Sequence, residues 1–155
     1  MLATPHFLVG AAIATKVPEV WPAALAALLL HFILDAIPHK DYLGKPRLTP
    51  ANIWLTIGDA VLALVLFFVL VKPSVWMYAF GIGIVAVLPD VVELPGHFWP
   101  KWWEVSGIKQ LHYWHGKILQ RGRELLFKKE SPPDWFWGIL PQVLVVAAAI
   151  YFILV

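Results

Sequence analysis

LLLHFILDAIPHKDY, residues 28–42, decides how this chain is read, because His31 and Asp35 stand four residues apart inside an otherwise apolar run. On a helix that spacing puts both side chains on one face, about 6 Å apart along the axis. His39 follows just past the stop at Pro38. Ionisable groups in a membrane-grade segment are costly and are kept with a partner such as a metal, another charge or a substrate. The pair is therefore either a set of metal ligands or a hydrogen-bonded intrahelical couple without one.

Outward from this stretch, the chain has the composition of a membrane protein. Of its 155 residues 60% are hydrophobic and 14% charged, against about 25% charged in soluble domains, and the mean hydropathy is +0.72. Segments 21–37, 53–71, 75–92 and 135–155 reach or approach the roughly 20 apolar residues that cross a hydrocarbon core. A fifth, 5–15, is short. The expectation is an all-α membrane protein of one domain, 1–155: a bundle of four long transmembrane helices with a short N-terminal helix and an interfacial amphipathic helix, in which 93–134 is a loop or lid.

Local signals place the ends of these elements. Thr4-Pro5 reads as an N-cap followed by proline at the first helical position, and Gly10, Ala11, Ala12 and Ala14 form a small-residue face for close packing. Thr49-Pro50 repeats that signature, and Lys72-Pro73-Ser74 is a turn. The helix from Val75 is expected to end at Leu88-Pro89-Asp90, with Glu93 and His97 beyond it. No basic region precedes the first apolar stretch and no small-residue cleavage site follows it, so it is expected to stay as structure rather than act as a signal peptide.

In the connection up to Asp134, Ile108, Leu111, His112, His115, Leu119, Gly122 and Leu126 fall on one helical stripe, while Lys109, Lys117, Gln120, Arg121 and Glu124 lie elsewhere. That pattern is an interfacial amphipathic helix. Trp99, Trp102, Trp103 and Trp114 suit the headgroup level, and Ser131-Pro132-Pro133 breaks the chain before the last span.

Threading the four helices alternately puts ten Lys and Arg on the side of the 38–52 and 93–134 loops and two, Lys16 and Lys72, on the other. The positive-inside rule makes the first side cytoplasmic, in a prokaryotic inner (plasma) membrane. If the first helix also spans, all six histidines and every acid except Glu19 gather there. His31 is about 9 Å in from Ile37 and Asp59 about 13 Å in from Pro50, so these two are expected to face each other.

The expected site therefore takes His6, His31 and Asp35 as leading metal ligands and Asp90, His112 and His115 as the next, with His39 a further candidate. Asp59 is a ligand, an orienter of His31, or part of a proton path. Glu93 is the candidate general base, and His97 belongs to the interface. With no cysteine, disulfides, thiolate sites and a Cys nucleophile are excluded. His with carboxylate suits Zn first, and Mn or Fe as well; such metals activate water against phosphoesters. Ser74, Ser106 and Ser131 sit in no G-x-S-x-G elbow, there is no glycine-rich phosphate loop, and basic residues at a membrane surface make no case for nucleic acid.

Thr4-Pro5-His6 with Gly10, His31-x-x-x-Asp35, Leu88-Pro89-Asp90 and the His112/His115 pair together resemble the membrane-bound metal-dependent hydrolases of the LexA-binding inner-membrane family. A looser likeness, through H-x-x-x-D, extends to zinc-dependent phospholipase C. Val92 stands where that family's second Asp would be, and His31-Asp35 precedes Leu88-Pro89-Asp90 instead of following it. The resemblance implies a metal site and hydrolysis, with phospholipid as a substrate. The expected function is thus a membrane-embedded, metal-dependent phosphoester hydrolase with membrane lipid as partner and substrate. Its rival is a non-enzymatic membrane protein, an ion or proton conductor or a scaffold.

Overall fold

The computed structural model describes residues 2–39, 49–127 and 135–155, of which 119–127 and 135 by backbone alone. Lys40, Lys45, Arg47, Lys128, Lys129 and the Ser131 to Pro133 break lie outside the described residues, and the amphipathic stripe can be followed as far as Ile118. Six α-helices follow in order: α1 (Ala3–Lys16), α2 (Val20–Ala36), α3 (Pro50–Leu70), α4 (Trp76–Glu93), α5 (Ser106–Phe127) and α6 (Trp135–Leu154). Single 3-10 turns lie at Pro73–Val75, Leu94–His97 and Pro100–Glu104.

Among the described residues three stretches are long and apolar enough to cross a membrane: Pro50–Leu70, Pro73–His97 and Phe136–Leu154. The expected count of four is not reached, because α2 has 17 residues between its N-cap Glu19 and its C-cap Ile37. Its length, at 1.5 Å per residue, is about 26 Å, short of the ~30 Å hydrocarbon core. Many large apolar side chains on the spans point outward, among them Leu62, Val65, Phe68 and Val143. Such a surface is stable against lipid.

The short helix α1 is the centre of the molecule. It packs on α2, α3, α4 and α6, and its Thr4, Pro5, His6, Phe7, Leu8, Gly10, Ala11, Ala12 and Ala14 are buried. Small residues let helix backbones approach closely where lipid supplies no hydrophobic drive. The closest approach is to α4: a Cβ on Gly10 would lie 2.7 Å from the Ile82 carbonyl and 2.9 Å from Gly83 Cα. Gly83 in turn faces the Phe7 ring. Gly10→Val is therefore expected to push α1 off α4 and cost about 1–3 kcal/mol, read as a lowered midpoint of thermal unfolding in detergent. Gly58→Ala, where nothing lies within 4 Å, should be neutral or slightly stabilising.

Two local readings are corrected. Thr4 is not the N-cap of α1; Leu2 is, and it supplies no side-chain hydrogen bond. The open N–H groups of that end are met by neighbouring helices instead: Leu2 N donates to Gln142 Oε1 (2.9 Å) and Thr4 N to Asp59 Oδ2 (3.1 Å). Away from water such groups need protein partners. Nor does α4 stop at Pro89. It continues through the proline to Glu93, since a single missing N–H is tolerated where neighbours satisfy the freed carbonyls. The extra turn brings Asp90 and Glu93 onto the end of the bundle. The Thr49-Pro50 start of α3 has the expected form, Thr49 Oγ1 accepting from Asn52 N.

Candidate metal centre

Asp35, buried on α2, is the hub of the polar residues. Its Oδ1 is 3.1 Å from His6 Nε2 on α1, and its Oδ2 is 3.1 Å from His31 Nε2 one turn earlier and 2.6 Å from His115 Nε2 on α5. His39 Nε2 comes within 3.9 Å. His6, His31, His39 and Asp35 each expose 1% of their surface, so water cannot stand in for a missing partner. Asp90, half-buried, closes the group from α4, with Oδ1 3.8 Å from both His31 Nε2 and His115 Nε2.

His6, His31, Asp35 and Asp90 can each offer one ligand atom, and those atoms all lie within 4.8 Å of one another. This group could hold a metal ion. Two features fit one. His31 Nδ1 is 2.8 Å from the Ala86 carbonyl, so it carries the proton and donates, which leaves Nε2 with its lone pair toward the group. That Nε2 and His6 Nδ1 are buried without a hydrogen-bond partner, and a buried polar atom left open costs about 1–3 kcal/mol unless something binds it. The second feature is charge: a divalent ion balances the carboxylates of Asp35 and Asp90 in a low-dielectric setting. Nitrogen and oxygen donors without thiolate suit Zn, Mn or Fe alike.

The lid histidines sit one step outside this group. His115, buried on α5, binds Asp35 through Nε2 and has Nδ1 3.1 Å from Glu93 Oε1. Burial alone would lower its pKa, but hydrogen bonds to Asp35 and then Glu93 outweigh that and push it up to about 10. His112 is exposed; its Nδ1 is 3.0 Å from Glu93 Oε2, and its ring stacks on Trp103 at 4.1 Å. The other neighbours of Trp103 are His97, edge-on at 5.7 Å, and Gly96, where any Cβ would strike the indole. Trp103 was expected at the headgroup level and His97 at the interface. Both lie beside α5, Trp103 against His112 and His97 against Trp103. Glu93, the candidate base, has each oxygen in contact with a lid histidine.

Asp59 does not face His31. α2 and α3 both pack on α1 rather than on each other, so comparable distances from the helix ends do not bring their side chains together. Asp59 caps α1 instead, its carboxylate taking Thr4 N and its backbone carbonyl taking Thr4 Oγ1 at 2.7 Å. A carboxylate at a helix N-terminus is favoured by the helix dipole, and here it anchors the first turn that carries His6. Asp59→Ala is expected to cost about 1 kcal/mol of stability and to weaken metal binding through His6, while Asp59→Asn, which can still accept from Thr4 N, keeps most of both. A proton path through Asp59 would make Asn as damaging as Ala to hydrolysis while Asn keeps its thermal midpoint and metal, so activity measured beside those two readouts separates the roles.

Beside the group lies a cavity of about 520 Å³, bordered at its polar end by Asp90, Glu93, His112 and His115 and elsewhere mostly by apolar side chains of α3 and α4. Another cavity, of about 390 Å³ between α1, α2 and α6, is almost wholly apolar and away from the histidines. A buried N and O donor set next to an amphipathic cavity can bind a cation and present it to a ligand with one polar and one apolar end. No protein-family model, curated protein or solved structure matches this chain.

Proposed function

We propose that the protein is a membrane-embedded metal-dependent hydrolase acting on a phosphoester, with a membrane lipid as its substrate and Zn as the first-choice metal. The single observation that carries this reading is the convergence of His6, His31, Asp35 and Asp90 from three helices onto ligand atoms within 4.8 Å, at the edge of a cavity. Such a metal, when bound, supplies Lewis acidity that polarises a phosphoryl oxygen and acidifies water. His6, His31, Asp35 and Asp90 hold it, and the Ala86 carbonyl keeps His31 in the ligating tautomer. His115, bonded to Asp35 on one nitrogen and to Glu93 on the other, is held as an imidazolium that would give a proton to the departing alcohol and regain one from the water consumed. The resemblance to membrane-bound metal-dependent hydrolases agrees with this reading. The ten-to-two division of Lys and Arg supports a site on the cytoplasmic side of a prokaryotic inner membrane.

The test uses the full chain purified in detergent. Elemental analysis should find stoichiometric transition metal, and hydrolysis of bis(p-nitrophenyl) phosphate should vanish on chelation and return with Zn, Mn or Fe. Bound metal with no phosphodiesterase activity, toward this substrate or toward phospholipid vesicles, would reduce the site to metal binding alone. Absence of metal from freshly purified protein would overturn the reading altogether.

A further inference from the structure

The cavity beside the metal group is a groove, and its shape follows from the packing of two helices. α3 and α4 are consecutive, yet each leans on α1 and they scarcely meet along their length. They are joined near the 3-10 turn by aromatic contacts, Phe67 on Phe80 at 5.8 Å and Phe68 on Trp76 at 5.2 Å. Phe7 of α1 touches both Phe67 and Phe80, at 5.5 and 5.6 Å, and closes this end. Away from the turn the helices part over the floor made by α1. The α4 wall is Phe80, Ile84, Val87 and Val91, one helical stripe, and the α3 wall is Thr56, Asp59, Ala60, Ala63 and Leu64 at helical spacing. Alanines on one wall opposite large residues on the other leave the space between them.

Three properties of this groove identify what fits it. It opens to the side, since Ala60, Leu64, Ile84 and Val91 are exposed on segments long and apolar enough to span a membrane. Its lining is mostly apolar, with Phe7, Ala63, Leu64 and Phe80 toward the turn, and becomes polar toward Asp59, Asp90, Glu93 and His115. From Phe80 to Asp90 it extends ten residues of α4, about 15 Å, which is half of a ~30 Å hydrocarbon core and so one leaflet deep. An amphipathic occupant with a tail of one leaflet's length and a polar head matches all three.

We infer that the α3–α4 groove receives one acyl chain of a lipid from the surrounding bilayer, entering sideways, with the Phe7, Phe67 and Phe80 rings as the end stop that limits chain length and the headgroup held at Asp90 and His115. This rests on the hydrolase reading for the fate of the headgroup, but the seating of the chain is a separate claim. The residues that set substrate choice are then Ala60 and Phe80, neither of which touches the metal group. Ala60→Trp fills the groove from an exposed position, and Ile84→Trp fills it from the opposite wall. Phe80→Ala lengthens it.

The experiment places the full-length protein in phosphatidylglycerol vesicles that contain phosphatidylglycerol with a diazirine at the end of one acyl chain, and maps the light-induced adducts by mass spectrometry. Adducts should concentrate on groove residues such as Leu64 and Phe80 over the outward-facing Leu62 and Val65, and should fall about tenfold in Ala60→Trp and in Ile84→Trp, with metal content unchanged. Phe80→Ala should shift adducts toward Phe68 and Trp76. Equal labelling of Leu64 and Leu62, or groove labelling that both tryptophan variants leave intact, would overturn the acyl-chain site even if the protein binds metal and hydrolyses phosphoesters. Groove labelling in a protein that holds no metal would sustain the chain site and sink the hydrolase reading instead.

Discussion

Asp35→Ala protein is expected to purify with less than about a tenth of the wild-type metal and with a markedly lowered thermal midpoint. The reason is that one carboxylate ties three helices of the site together: His6 of α1, His31 of its own helix and His115 of α5 all lie within 3.1 Å of it. Removing one partner of a buried charged pair costs about 3–5 kcal/mol, because what remains is buried without compensation. Asp35→Asn separates charge from shape. It fills the same volume, but leaves a divalent ion facing Asp90 alone, and should weaken metal binding by about 100-fold or more, ~2.7 kcal/mol, with a smaller loss of stability than Ala. His31→Ala should resemble Asp35→Ala in metal content. His97→Ala should keep its metal, since His97 packs on Trp103 outside the four-residue group. Metal content equal to wild type in Asp35→Asn and His31→Ala would remove this group from the site.

The lid carries the second large effect. α5 rests on α2, α4 and the Pro100–Glu104 turn, and among the described residues its side-chain hydrogen bonds to the bundle are His115 to Asp35, His115 to Glu93 and His112 to Glu93. His112→Ala with His115→Ala removes all three and exposes Asp35 on the side where α5 now covers it. Hydrolysis should drop at least about 100-fold, consistent with the loss of a group that moves a proton, and trypsin should cut within 106–127 much faster, because local opening now costs less. The other helices should keep their helical signal, since α1 draws its packing from α2, α3, α4 and α6. His115→Ala alone should give most of the effect. His112→Ala alone should give little, its ring being exposed and stacked on Trp103. A double variant with wild-type activity and trypsin resistance would make α5 a membrane anchor and nothing more.

The contrast between the two histidines of α5 marks where sequence reasoning ends. That His112 and His115 share a stripe follows from helical periodicity. Which of them reaches Asp35 depends on how α5 is rolled, and that roll is set by Trp103 wedged against Gly96 and His112, and by Trp102 Nε1 donating to the Val92 carbonyl at 2.8 Å. Depth along a helix can be counted from the sequence too, but the neighbour at that depth cannot. Asp59 and His31 were level, and α1 stands between their helices.

By itself the sequence determined what local rules determine: an all-helical chain, the outward apolar faces of the spans, and the pairing of His31 with Asp35 across one helical turn. Helical periodicity and the cost of burying charge act within a few residues, so these features are written in the order of the amino acids. Only the tertiary structure decided that the short α1 is the central helix, that Asp59 and Gln142 cap it, that α4 runs past Pro89 to present Asp90 and Glu93, and that His6 and Asp90 converge on Asp35. Each of these rests on shape complementarity between distant segments, such as Gly10 against Gly83, and on the demand that every N–H away from water find a partner. Neither can be evaluated until the chain is folded and the neighbours are in place.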